Sequence, residues 1–387
     1  MKYFSVPADF KNETIDKYSN LHDKYADSKI IETYGNVTID NKFGSGRVIS
    51  QQPKVSLKTL EKYVDYSTKK GIGFNYTLNA SFMNNEEFTE EGLTELLRFL
   101  RMLYELGIKS ITVSMPSLIT LLNEIKYKFK IKASTICNID SANKASAFNN
   151  LNIERLVIPE SLHRNFPRMK SIVNTFNGDV EVIINSICHT RCAFRQFHYN
   201  ETTSNSKSRC ITTGVDYFEH RCLMQRFSSV GEIMKLGWIR PEDLKHYANI
   251  GITHFKIQGR QHVYKGNHIE AIEYYFKEDY DGNLMALLDL FNDRYSFKIN
   301  IDNKKLDNYI DVFIKKTNFC KGDCVSCKYC DSWAKKSINM TDAQKVMDMA
   351  NEFYQKCDMY NNIIAEGLKD LDQSTNKKKN ENIQFNL

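Results

Sequence analysis

The sequence predicts an α/β chain folded as a TIM-like (β/α) barrel, complete or incomplete, with a cysteine-rich C-terminal extension. Two patterns carry that expectation. From about residue 28 to residue 276, β-rich runs alternate with helical runs, about seven strand-plus-helix units in all. Eight of the ten cysteines fall into two groups of four, one inside the alternating region and one after it.

The units follow in order. SKIIETYG (28–35) reads as a strand and runs into a loop containing GSGR (44–47). SLKTLEKYVDYSTKKG (56–71) has helical spacing, and IGFNYTLN (72–79) is the next strand. TEEGLTELLRFLRMLYELG (89–107) is a strong amphipathic helix with Gly107 as its stop. SITVSM, SLITLLNEIKYKF and KIKASTIC repeat strand, helix and strand. SANKASAFNNL leads to IERLVIP, and NFPRMKSIVNTFNG leads to DVEVIINS. RPEDLKHYANIG, with Pro241 and two acids at its start, is a helix, and ITHFKIQG follows as a strand. Such a repeat implies a parallel sheet, and the number of units favours a barrel over a doubly wound open sheet. GSGR is no dinucleotide fingerprint, and neither G-x-G-x-x-G nor G-x-x-x-x-G-K-[ST] occurs.

The expected organisation is a barrel over 1–276, an extension over 277–365 and a disordered polar tail over 366–387. The extension holds DGNLMALLDLF, SFKINIDNKKLDNYIDVFIKK and a last helix from Ala343. A hydrophobic fraction of 42% over 387 residues allows a sizeable core, and the net charge of +6 is partly the local NKKKN run. That charge permits a nucleic-acid contact without arguing for one. MKYFSVPADFKNE has no apolar signal region, and no apolar run of about 18 residues suggests a membrane span. The expected compartment is the cytoplasm, where clustered thiols stay reduced and favour metal binding over disulfides.

Cys188, Cys192, Cys210 and Cys222 form the first group. VEVIIN ends at Asn185, so Cys188 and Cys192 leave on a loop after a strand, the end of a barrel where catalytic residues gather. His189, Arg191, Arg195, His198, His220 and Arg221 lie between the cysteines, and cations there stabilise thiolates or an anionic cluster. One C-x3-C and two distant members suit an iron–sulfur cluster in a loop better than a zinc knuckle. Cys320, Cys324, Cys327 and Cys330 form C-x3-C-x2-C-x2-C, which favours an iron–sulfur cluster and leaves a structural zinc site as the alternative. Cys137 and Cys357 read as small core residues, and His246, His254, His262 and His268 as structural ones.

VEVIINSICHTRCAFRQFHYN, DYFEHRC and above all GWIRPEDLKHYANIGITHFKIQGR resemble the core of peptidase family U32, the collagenase-like peptidases, over roughly residues 50 to 270. The resemblance implies a TIM-like barrel and a 4Fe–4S cluster held by four cysteines. It also implies oxygen-independent hydroxylation of RNA bases or of the ubiquinone ring, although some relatives carry a protease label. By that resemblance Cys188, Cys192 and Cys222 match cluster positions. Relatives often carry cysteine where this chain has Phe218, so Cys210 would take the fourth place, and Gln258 stands where many have Glu. Arg260 follows the last strand and would clamp a carboxylate or phosphate, or else form a structural salt bridge.

Three function classes follow. The sharpest is a cluster-dependent enzyme that modifies an RNA base, a peptide or a small metabolite, with Arg195 and Arg260 positioning an anionic substrate. A peptidase is the second, though G-x-S-x-G and H-E-x-x-H are both missing. A non-catalytic iron–sulfur scaffold, working with a partner subunit or an electron donor, is the third.

Overall fold

The computed structural model describes residues 1–207, 215–261, 263–290 and 297–378. Short β-rich runs, apolar where they face the helices, become parallel strands. These are β1 (Lys2–Pro7), β2 (Ser28–Gly35), β3 (Gly73–Leu78), β4 (Ser110–Val113), β5 (Lys130–Ala133), β6 (Ile153–Val157) and β7 (Asp179–Ile183). Next come β8 (Asn185–His189) and β9 (Leu236–Trp238), which pair antiparallel outside the barrel. Finally β10 (His254–Lys256) inserts between β7 and β1 and closes the eight-stranded barrel.

The closing strand β1 lies before residue 28, where the expected alternation began. KYFSVP is short, and its helix, Asn12–Lys24, buries only one face through Thr14, Ile15, Tyr18 and Leu21. The barrel is therefore complete. Elsewhere local signals act as expected: Ser56 accepts from Thr59 N at the start of helix Leu57–Lys69, and Thr89 accepts from Gly92 N before helix Glu90–Glu105. Gly107, at φ +89°, ends that second helix in the left-handed region.

Charge fills part of the barrel interior. Lys132 pairs with Glu32 and, at 2.9 Å, with Glu181. Arg155 reaches the same two carboxylates at 3.2 and 3.0 Å, and Ser5 donates to both. Four charges from β2, β5, β6 and β7 thus neutralise one another inside the sheet.

Two segments depart from the expected boundaries. VEVIIN does not run as one strand: β7 ends at Ile183, Ile184 still donates to Lys256 O of β10 while its own carbonyl accepts from Ile239 N, and Asn185 begins β8. The last helix is two, Met340–Lys356 and Met359–Lys378, and the second continues well into the segment expected as a tail. Asp358 makes the break, accepting from Asn361 N while paired with Arg221. Cys357, expected in a core, is exposed there.

The C-terminal extension packs on the excursion between β7 and β10. Tyr309 donates to Met234 O at 3.0 Å, Asn351 to Phe227 O at 2.9 Å, and the Arg164 guanidinium lies over Trp238, Tyr309 and Phe313. Buried apolar side chains form one continuous cluster from Phe4 to Ala350. Among the described residues no helix is long and apolar enough to cross a membrane.

Candidate active site at the barrel mouth

Strands β2, β3, β6, β7 and β10 end around a cavity of about 340 Å³, at the end where barrel enzymes place their chemistry. Its wall brings together Cys188, Cys192 and Cys222, as expected from their loops. Cys188 and Cys192 hang from β8 and the turn after it, and Cys222 sits in helix Tyr217–Arg226. The fourth expected ligand, Cys210, lies outside the described residues. Phe218 lines the same cavity.

Burial pushes the Cys222 thiol up to about 11, against the pull of Arg226, whose guanidinium lies 3.7 Å from the sulfur. Negative charge on Cys188 and Cys192 adds to the rise, so the three sulfurs feel one another. Thiols held together in this way, with guanidinium groups beside them, fit the thiolate set of an iron–sulfur cluster. Among the described residues no three cysteine sulfurs lie within 4.8 Å of one another.

Arg195, expected as a substrate clamp, has other partners. It is paired with the buried Glu160 and donates to His189 O at 2.5 Å. Burial alone would raise the Glu160 carboxyl, but Arg195 holds it below the ordinary value. This ion pair anchors the cysteine loop, and Gly237 leaves room for it: a Cβ there would meet Glu160 Cβ at 2.9 Å.

Arg260 is different. It is buried, and its guanidinium donates only to neutral acceptors, Asn36 Oδ1, Thr77 Oγ1 and Asn79 Oδ1. Arg47 faces it, held by Gln261 Oε1 at 3.0 Å and Gly46 O at 2.8 Å. Lys256, at the end of β10, lies over the Tyr34 ring at 4.0 Å. Among the described residues no carboxylate pairs with any of these three cations, so the structural salt bridge considered for Arg260 is not formed. Burial first, and Arg47 second, push Arg260 down to about 9. Burial and Lys132 push Lys256 down to about 7. Arg47, Lys256 and Arg260 thus share the mouth with Glu160, Glu201, Asp216 and Glu219, without a direct ion pair to any of them.

Sequence reasoning missed Arg47, Lys256 and Glu160. GSGR and KIQGR contain the first two, but only the closed barrel joins residues so far apart. It also missed a group beside the cavity: His198, Glu201 and Asp216 offer ligand atoms within 4.8 Å of one another. Burial and Asp216 push Glu201 up to about 7. Of the other histidines, His246, His254 and His268 are packed in the fold with burial lowering their pKa, and His262 lies outside the described residues. Cys137 is half-buried and bonds Ser114 O at 3.2 Å.

The second cysteine group is also brought together. Cys320, Cys324, Cys327 and Cys330 line a separate cavity of about 250 Å³.

Residues 42–283, well over half of the chain, match the model of peptidase family U32. The chain belongs to peptidase family U32. Its matched region begins after β2, spans β3 to β10, and runs into the start of the extension. This U32 chain is 28% identical over 297 residues to an uncharacterized protease of Methanocaldococcus jannaschii, covering 77% of this chain and 86% of that protein. It also resembles the solved structure of a U32 peptidase, with a TM-score of 0.50 at 14% identity, over 66% of this chain and 92% of the other. At that identity the likeness concerns the fold. The U32 match stops before the second cysteine group, which belongs to the extension.

Proposed function

We propose that this U32 protein is a 4Fe–4S-dependent enzyme. Its reaction would be oxygen-independent hydroxylation, or a related modification, of a substrate bearing a phosphate or carboxylate. RNA, through the phosphates beside a target base, peptides and small metabolites all include such substrates. One observation carries the reading: Cys188, Cys192 and Cys222 share a single cavity with Arg47, Arg260 and Lys256.

Cys188, Cys192 and Cys222, with Cys210 as fourth, would hold the cluster, which when bound supplies the redox chemistry. The chain's own residues do the rest. Arg260 and Arg47 receive the substrate anion, and their neutral partners keep both cations in place without cancelling them. Glu160 and Arg195 fix the loop carrying Cys188 and Cys192. Lys256, depressed towards 7, offers a proton donor or acceptor at neutral pH beside the anion site.

The test is purification without oxygen, with iron, acid-labile sulfide and zinc measured on wild type and on C188S/C192S/C222S. Loss of about four iron and four sulfide in the variant is expected. Unchanged iron, or zinc without sulfide at the mouth, would sink the reading.

A hydrolytic reading has one observation in its favour. A divalent cation on His198, Glu201 and Asp216 would activate water beside the cavity, in keeping with the protease names of the relatives. Peptide cleavage that survives loss of the cysteines but not H198A would support it.

A further inference from the structure

The cysteine group in the extension is solvent-facing, unlike the one at the barrel mouth. Cys320 and Cys327 are exposed, and Val325 between them is 83% exposed. Six lysines against two aspartates lie between residues 315 and 336. Lys315, Lys316, Lys321, Lys328, Lys335 and Lys336 are all exposed, and Lys321 has no carboxylate partner among the described residues. An apolar tip within a basic rim matches an acidic protein surface.

The inner side of the same group is anchored. Lys328, at φ +51°, turns the chain between helices Cys324–Cys327 and Tyr329–Ser337, so that the last two cysteines flank the turn. Tyr309 Oη lies 3.6 Å from Cys330 Sγ, and the half-buried Arg164 feels the charges of Cys320 and Cys330. Lys235, whose backbone carbonyl accepts from Thr190, feels Cys324. Arg191, next in the chain to Cys192, donates to Cys320 O at 2.9 Å and packs on Gly322. One arginine side chain and one peptide step of about 3.8 Å thus separate the two cysteine groups.

We propose that Cys320, Cys324, Cys327 and Cys330 hold a second iron–sulfur cluster. This cluster is the port at which an acidic one-electron carrier protein docks on the lysine rim and delivers its electron. The carrier is oxidised by one electron and the port is reduced by one, and no bond or proton changes place. Onward use of the electron at the barrel mouth rests on the function proposed above; the port and its docking face do not. The C-x2-C-x2-C spacing and the cavity the four thiols share support a cluster.

The probe is a reduced plant-type ferredoxin, mixed anaerobically with the full chain while visible absorbance is followed. Wild type is expected to carry about eight iron and C324S/C327S about four. Ferredoxin should reduce wild type rapidly at low ionic strength, and at least tenfold more slowly at high ionic strength or in K321E/K328E. In C324S/C327S the remaining cluster should accept electrons from dithionite but no longer from ferredoxin. Zinc without sulfide at this group overturns the proposal, and so do equal ferredoxin rates in C324S/C327S and wild type. C188S/C192S/C222S separates the two readings. Unchanged iron there removes the barrel-mouth cluster but leaves the port standing, provided ferredoxin still reduces the protein.

Discussion

Arg191 donates a hydrogen bond to the backbone carbonyl of Cys320 across 129 residues, and so ties the loop of one cysteine group to the first cysteine of the other. Gly322 makes the contact possible. It sits at φ +86°, and a Cβ there would meet the Arg191 guanidinium at 2.7 Å.

Replacing that contact tests the tie. R191A should cost about 1 kcal/mol or less, since the bond is exposed to solvent. G322A should cost more, because it adds backbone strain to the lost contact. Urea unfolding of both variants, compared with wild type, measures the order; an unchanged midpoint in G322A would count against the packing.

Arg260 should govern anion binding without supporting the fold. Inorganic phosphate at about fivefold over its Kd should stabilise wild type by about 1 kcal/mol. R260M should lose that protection while remaining at least as stable as wild type without phosphate, because it removes a buried cation that faces Arg47. Thermal melts with and without phosphate read both. Equal protection in R260M would remove the anion site.

Lys256 sets a pH dependence. Its folded pKa, about 7, lies below its ordinary 10.5, so the unfolded chain binds the proton more tightly through that interval. Stability contributed by Lys256 therefore rises from pH 7 towards 10.5, by at most about 1.4 kcal/mol per pH unit, and is flat below 7, where both states hold the proton. Unfolding curves at pH 7, 8 and 9 should show this slope in wild type, reduced in K256M.

The interior charges predict a large effect. K132M leaves Glu32 and Glu181 buried with Arg155 as their shared cation, and should cost about 3–5 kcal/mol. Lys132 and Arg155 hold Glu181 below the ordinary carboxylate range against the effect of burial, so this network loses stability as pH falls below that range. Denaturant unfolding of K132M near neutral pH is the check, and a loss under 1 kcal/mol would contradict it.

Strand–helix alternation was legible because each run is a local pattern. Helix Glu90–Glu105 has its cap at Thr89, its buried face at Leu96, Leu100 and Leu103, and its stop at Gly107, all within one stretch of sequence. Strand β1 was not legible: six residues ahead of a weakly apolar helix have no pattern of their own and become a barrel strand only through β2 and β10. Arg195 carried the right local setting among the cysteines, yet its partner Glu160 comes from beyond a different strand.

The sequence by itself determined the alternation that makes a barrel and the two cysteine groups, because period and spacing are properties of neighbouring residues. Tertiary structure decided which charges stay unpaired. Arg47 and Arg260, 213 positions apart, meet Lys256 only when β10 closes on β1, and among the described residues no carboxylate pairs with any of the three, although Glu160, Glu201, Asp216 and Glu219 line the same mouth. It also decided that the two cysteine groups are neighbours, since that depends on where the extension docks, and docking follows from buried surface and fit rather than from spacing along the chain.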